Sequence, residues 1–166
     1  LMRAMHHAWP WRRWRELLLL SVLSIALPFA LYAWAALQLP AGYSALLNTT
    51  SVVFGTLSAA WMREDTLSLR KLLGCVLGFV GVALIVRLGP VQPDLPTLLA
   101  AGAAVLAAAC YGVCAPLMKR ATRHMEPLSI AALMHLIALA LLLPGAALTV
   151  PQAQFTPGAL VATAVL

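Results

Sequence analysis

LLLLSVLSIALPFALYAWAAL, residues 17–37, is an uninterrupted run of 21 residues without a single charged side chain. A helix needs about 20 consecutive, mainly apolar residues to cross the hydrocarbon core of a bilayer. The apolar core of a signal peptide has only about 7–15 residues, so a cleaved leader does not explain this run. We therefore predict a membrane-spanning helix at residues 17–37.

Similar apolar runs recur along the rest of the chain. They cover residues 43–61, 72–86, 97–118 and 128–143, and a further run begins at residue 159. Lipid offers the backbone no hydrogen bonds, so each run must satisfy its own N–H and C=O groups and should be α-helical. The expected fold class is all-α, a polytopic transmembrane helix bundle with five spans and the start of a sixth.

The composition also favours a location in lipid. The chain is 63% hydrophobic and only 10% charged, whereas soluble domains carry about 25% charged residues. The net charge of +6 could indicate a nucleic acid partner, but the cations flank the apolar runs and form no single stripe. We therefore predict the lipid bilayer as a partner and no nucleic acid.

The cations are sorted along the chain. Ten of the eleven Lys and Arg residues fall in every second gap between apolar runs, at residues 1–16, 62–71 and 119–127. Cytoplasmic loops of membrane proteins are enriched in Lys and Arg, so these three segments are predicted to be cytoplasmic in a multi-pass protein of the bacterial inner membrane. The sequence starts at Leu1 and ends within an apolar run, and we expect it to be a piece of a longer chain.

Residues 45–82 carry an ordered set of motifs. A helix with small polar residues begins at 45–54, and the acidic Glu64 follows in a predicted cytoplasmic turn. The motif LSLRKLLG occupies 67–74, and a glycine-bearing helix then ends in Gly81-Val82. This order resembles the EamA-type family of the drug/metabolite transporter superfamily. One departure is Val52, where the family often has Pro.

The resemblance implies a fold and a function. Such proteins have ten helices in two five-helix halves of inverted topology. Residues 1–90 are then the end of the first repeat, with the basic segment 1–16 and spans at about 17–37, 43–61 and 72–86. Residues 91–166 are the start of the second repeat, and Met125-Glu126-Pro127-Leu128 is similar to the opening of its second helix.

The implied activity is secondary transport. An exporter or permease of this kind moves small organic metabolites by alternating access, driven by a gradient, and needs no cofactor. A membrane-embedded enzyme is the alternative, but the sequence has neither an H-E-x-x-H nor a G-x-S-x-G motif, so no catalytic residue is predicted. A non-transporting scaffold is the other alternative, and it leaves the polar face of the second span unexplained.

That polar face contains the first site candidates. Ser44, Asn48, Ser51, Gly55 and Ser58 recur at helical spacing. Small polar residues either let helices pack closely or line a solute cavity. The amide of Asn48 needs partners within the membrane, which favours a cavity role for Asn48 and Ser51.

Further candidates lie in other spans. Ser24 and Tyr32 share a face with Pro28, which removes a backbone hydrogen bond and can kink the first span. Tyr111 is a candidate cavity wall or a packing residue in the fourth span. His135 is the only ionisable side chain well inside a span; it either takes part in transport or is a neutral ring bonded to its surroundings.

Three further features suggest contacts rather than chemistry. Gly74, Gly78 and Gly81 form a small-residue ridge for helix packing, compatible with a homodimer or an internal interface. Glu64 and Asp65 are expected to form a solvated salt-bridge cluster with nearby Arg63 and Arg70. No metal site is predicted, since the stripe Cys110, Cys114 and Met118 is read as apolar packing in preference to a Cu(I) site.

Overall fold

The computed structural model describes residues 13–85 and 94–149, and in these two ranges all of the regular structure is helical. The first helical segment consists of α1, a π-helical stretch and α2, which follow one another without a break. The bounds are α1 Trp14–Ser21, the π-helical stretch Val22–Ala26, α2 Leu27–Ala35, α3 Ala41–Asn48, α4 Thr50–Trp61, α5 Leu69–Ile85, α6 Leu95–Ala121 and α7 Pro127–Thr149.

Three helical segments are long and apolar enough to cross a bilayer. They are Trp14–Ala35, Leu95–Ala121 and Pro127–Leu148, with mean hydropathies of 2.1, 2.1 and 2.2. These segments correspond to the first, fourth and fifth predicted spans. The second predicted span is divided between α3 and α4, and the described part of the third is the 17-residue helix α5. The predicted run from residue 159 lies outside the described residues, so the count of five spans and a sixth remains a prediction.

The first span contains the interruption expected around Pro28. Proline has no N–H to donate to the carbonyl four residues earlier, which is that of Ser24. The chain responds with the π-helical stretch Val22–Ala26, which includes Ser24, and then continues as α2. The disturbance is therefore a local change in helix type, of the kind often found at functional sites.

The second predicted span is interrupted at Thr49, a feature that the sequence did not predict. The Thr49 hydroxyl donates to the carbonyl of Leu46 at 2.6 Å, and the Thr50 hydroxyl donates to that of Leu47, also at 2.6 Å. Hydroxyls that bond to preceding carbonyls compete with the helical pattern and bend helices. Because α4 runs unbroken through Val52, the interruption does not occur where the family often has Pro.

Helix α6 lies at the centre of the described bundle, in contact with α1, the π-helical stretch, α2, α3 and α4. Its alanines are almost fully buried, which allows neighbouring backbones to approach closely. Asp94 caps the helix, with its carboxylate accepting the Thr97 N–H at 3.0 Å. The buried alanines are Ala100, Ala103, Ala104, Ala107 and Ala108.

The contact between α4 and α6 is the closest of these. A Cβ on Gly112 would lie 2.5 Å from the Cβ of Phe54 and 2.7 Å from the backbone nitrogen of Gly55. The hydroxyl of Ser58 donates to the carbonyl of Gly112 at 2.9 Å. For Gly55 and Ser58, the packing alternative therefore describes the polar face better than the cavity alternative does.

A second buried hydroxyl joins the first helical segment to α7. Ser21 is fully buried, and its Oγ donates to the carbonyl of Met134 at 2.8 Å. Around it lies an apolar cluster that includes Leu17, Leu20 and Ile130. The two ends of the chain's described part are thus held together by packing and by one interhelical hydrogen bond.

Helix α5 projects most of its apolar side chains outward. Cβ atoms added at Gly74, Gly78 and Gly81 would meet no atom within 4 Å in the described part of the chain. The ridge therefore has no packing partner among residues 13–85 and 94–149, and helix packing through it remains a prediction.

Candidate functional site

Three of the candidate residues form a polar cluster between α2, α3 and α6. The hydroxyl of Tyr32 donates to Oδ1 of Asn48 at 2.9 Å. The rings of Tyr32 and Tyr111 are stacked, with centroids 6.4 Å apart and planes inclined by 19°. The cluster brings together side chains that are 16 and 63 residues apart from their neighbours in it, so only the fold could assemble it.

Asn48 retains hydrogen-bonding capacity in this cluster. Its Oδ1 accepts from Tyr32, while its Nδ2 group supplies two further donors. Ser44 lies one helical turn before Asn48, and its Oγ is buried without a hydrogen-bond partner in the described structure. Both features indicate unused polar capacity on the face of α3 that was predicted from the sequence.

The other candidates meet at a cavity of about 450 Å³ between the first helical segment, α6 and α7. Three predicted site residues line it, one from each of these elements: Ser24, Tyr111 and His135. Tyr111 thus belongs to both the cavity and the polar cluster. The remaining lining residues are Ile25, Phe29, Met118, Thr122, Pro127, Ile130, Ala131 and Met134.

The cavity wall is apolar with a few polar atoms. Among its lining residues there is no Asp, Glu, Lys or Arg, and the polar side chains are Ser24, Tyr111, Thr122 and His135. Nδ1 of His135 lies 2.7 Å from the carbonyl oxygen of Ala131, one turn earlier in α7. This bond matches the alternative in which His135 is bonded to its surroundings, yet the ring also lines the cavity.

Ser51 is the candidate that the structure leaves apart. It is half-buried on α4 and is not among the residues that line the cavity. The interruption at Thr49 separates its helix from the one that carries Asn48, which changes the face assigned by uniform helical spacing. Its predicted role in a solute cavity therefore remains a prediction.

A cluster of charges joins the ends of α4 and α6. The carboxylate of Glu64 accepts from Nε of Arg120 at 2.7 Å and also pairs with Arg123, while Lys119 Nζ lies 3.9 Å away. The Glu64 side chain is only 8% exposed. The hydrogen bond from Arg120, helped by the charge of Arg123, holds the pKa of Glu64 below its usual range.

These partners differ from those expected. The sequence suggested Arg63 and Arg70, but Glu64 pairs with cations that follow it by more than 50 residues, and Asp65 pairs with Lys71 at 2.6 Å. Lys119 also donates to the backbone carbonyl of Glu64 at 3.1 Å. The charge cluster therefore fixes one helix end to another, which proximity along the sequence could not reveal.

The end of α4 directs Glu64 towards α6. Arg63 has a positive φ of 57°, and its N–H donates to the carbonyl of Ala60 at 3.0 Å. The N–H of Glu64 donates to the carbonyl of Ala59 at 2.8 Å. These two bonds form a Schellman motif, in which Arg63 occupies the left-handed position usually taken by glycine.

Apolar helices of spanning length, packed through small residues around an uncharged cavity, define a multi-pass integral membrane protein. The sequence model of the EamA-like transporter family matches residues 1–87, just over half of the 166 residues, and the chain belongs to this family. It is thus a transporter-type protein of the drug/metabolite transporter superfamily, as its motifs suggested. Neither a curated protein nor a solved structure gives a match to the chain.

Proposed function

We propose that the protein is a secondary transporter that moves a small organic solute through the polar cluster and the adjoining cavity. The observation that carries this proposal is the position of Tyr111, whose ring stacks on Tyr32 and also lines the cavity with Ser24 and His135. Five of the six candidates chosen from the sequence are thus connected through one side chain. Ser51 is kept as a candidate on the neighbouring helix.

Helix interruptions support the same assignment. Ser24 lies in the π-helical stretch, and Asn48 is the last residue of α3 before the interruption at Thr49. Secondary transporters commonly form their solute sites from discontinuous helices near the membrane midplane, where freed backbone groups can contact the solute. Two interrupted helices that each contribute a polar candidate fit this design.

The membrane orientation follows from the cations. We propose that segments 1–16, 62–71 and 119–127 face the cytoplasm in the inner membrane, which agrees with the enrichment of Lys and Arg there. The Glu64 charge cluster then lies at the cytoplasmic ends of α4 and α6. During alternating access these helix ends would move together, because three cations from the end of α6 and the turn after it surround one carboxylate.

The division into repeats is part of the proposal. Residues 1–90 would be the end of the first EamA-like repeat, and residues 91–166 the start of the second. The family match, which stops at residue 87, supports a boundary near residue 90. Transport would be driven by a solute or ion gradient, since the sequence contains no Walker A loop for ATP.

Reconstitution in liposomes tests this function. We expect gradient-dependent uptake from a panel of small metabolites, lowered at least several-fold by Asn48→Ala and by Tyr111→Ala. Val52→Ala serves as the control, because Val52 is 56% exposed on α4 and lines neither the cluster nor the cavity. Product formation without translocation would support the enzyme alternative, and a protein that moves no solute would support the scaffold.

A further inference from the structure

We infer that the cavity selects an uncharged, largely apolar solute that carries a hydrogen-bond donor. This inference rests on the proposed transport function and names the chemical class of its substrate. It is drawn from the side chains that line the cavity, and each of its three parts, the absence of charge, the apolar body and the donor, follows from a different observation.

The absence of charge follows from the wall. None of the lining residues carries a formal charge at neutral pH when His135 is neutral, and the cavity is enclosed by apolar helices. An ion moved into such surroundings loses its hydration without gaining a counter-ion, which costs far more than a few hydroxyl groups return. The charged side chains of Glu64, Arg120 and Arg123 are committed to one another at the helix ends.

The apolar body follows from the size and chemistry of the cavity. Its volume of about 450 Å³ is within the range of small-molecule sites. Phe29 and Tyr111 offer ring surfaces, and Met118 and Met134 offer thioethers that contact ring edges favourably. A flat aromatic or similarly compact apolar group fits these walls best.

The donor follows from the hydrogen bond of His135. A carbonyl oxygen can only accept, so Nδ1 of His135 must carry the hydrogen that points at Ala131. In the neutral ring Nε2 is then an acceptor, and the described structure gives it no partner. A lipid chain in the cavity would leave this nitrogen unpaired in apolar surroundings, whereas a solute N–H or O–H would satisfy it.

Four analogues of one ring system separate the three parts. Indole is neutral and has a donor, and 1-methylindole is neutral with nearly the same shape but no donor. Indole-3-acetate adds an anion, and tryptamine adds a cation. We expect purified protein, studied by titration calorimetry, to bind indole at least about tenfold more tightly than either charged analogue, a ratio that corresponds to about 1.4 kcal/mol.

The donor is tested by comparing indole with its methylated form. One net hydrogen bond corresponds to an affinity ratio of about 2–10-fold. We expect this preference in the unmodified protein, loss of it in His135→Phe, and partial retention in His135→Gln, whose side chain keeps an acceptor. His124→Phe is the matched control, because His124 is exposed in the turn after α6 and does not line the cavity.

The analogue series needs no substitution, so it tests the inference even if a variant fails to fold. Equal or tighter binding of a charged analogue, equal binding of indole and 1-methylindole, or no binding of any analogue would overturn it. Gradient-driven uptake of a charged metabolite in liposomes would leave transport standing and reject only the substrate class. Absence of all gradient-driven uptake would reject the transport function itself.

Discussion

The carboxylate of Glu64 and the guanidinium of Arg120 are joined by a 2.7 Å hydrogen bond that links the end of α4 to the end of α6. The same guanidinium group also donates to the backbone carbonyl of Met62. One arginine therefore satisfies a side chain and a helix-terminal carbonyl on the neighbouring helix. Because α6 is the central helix, this contact ties the first half of the described chain to the second.

Removing the charge of Glu64 should loosen this junction. Glu64→Gln keeps the size of the side chain but leaves three cations without their shared anion, so we expect a lower Tm in detergent-solubilised protein. Asp65→Asn is the matched control, because Asp65 pairs only with Lys71 at the start of the neighbouring α5. A larger loss of Tm in Asp65→Asn than in Glu64→Gln would contradict the assigned role.

The pH dependence of stability should carry the same signature. The pKa of Glu64 is held below its usual value, chiefly by the hydrogen bond from Arg120. The charged carboxylate therefore stabilises the folded protein fully above the pKa of the unfolded chain, and this contribution is lost as the pH falls through the folded value. We expect Tm to fall at acid pH below about 4.3, the ordinary glutamate pKa.

Glu64→Gln should flatten part of that acid decline. The remainder is expected to involve Asp65, whose pKa is lowered by its hydrogen bond from Lys71. Thermal unfolding of the unmodified protein and of both variants across the acid range separates the two carboxylates. An unchanged acid decline in Glu64→Gln would show that other groups govern it.

The close approach of α4 and α6 should be sensitive to a single methyl group. In Gly112→Ala the new Cβ would lie 2.5 Å from the Cβ of Phe54 and 2.7 Å from the backbone of Gly55, atoms that cannot rotate away. We expect a loss of about 1–3 kcal/mol, the usual cost of overpacking. Denaturant or thermal unfolding would measure it.

Gly102→Ala provides the control on the same helix. No atom lies within 4 Å of a Cβ at Gly102 in the described structure. Alanine is the better helix former by about 1 kcal/mol, so this variant should be neutral or stabilising. Equal losses at positions 102 and 112 would mean that the helix tolerates neither change for reasons other than the α4 contact.

Tyr32→Phe should separate the two interactions of this ring. It removes the hydroxyl that bonds to Asn48 but retains the stack on Tyr111, so stability should fall by only about 0.5–1.5 kcal/mol. Tyr32→Ala also removes the stack, which adds about 0.5–1.5 kcal/mol beyond the loss of buried area. If the two variants are equally stable, the stack contributes nothing.

The orientation of the helices can be measured directly. Gly42 lies at the start of α3, and Ser68 follows the end of α4, so the α3–α4 segment separates them. Single cysteines at these positions should be labelled by a membrane-impermeant reagent from opposite sides, with Ser68→Cys accessible from the cytoplasm. Labelling of both from the same side would refute the proposed topology.

Much of the site could be predicted from residue type and spacing. Tyr32, Asn48 and Tyr111 were chosen because polar groups within apolar spans need partners, and in the structure they contact one another. Ser24 and His135 were chosen for the same reason and line one cavity. The cost of burying polar groups in lipid makes such residues visible in a sequence.

The rest depended on geometry that spacing does not encode. The partners of Glu64 lie more than 50 residues away, and local sequence favoured the adjacent Arg63. The interruption at Thr49 arises from threonine hydroxyls that bond to preceding carbonyls, so a uniform helical face drawn through Ser44, Asn48 and Ser51 could not hold. Three-dimensional packing had to supply both.

The π-helical stretch at Val22–Ala26 also bears on how relatives should be aligned. An α-helix turns by about 100° for each residue, so shortening this stretch by one residue would rotate Ser21 away from Met134 while Tyr32 stayed beside Asn48. Homologues that replace it with regular helix should therefore show a single-residue gap between positions 22 and 26. Indels in this window thus preserve both sets of helix contacts, whereas indels elsewhere in Trp14–Ala35 would break one of them.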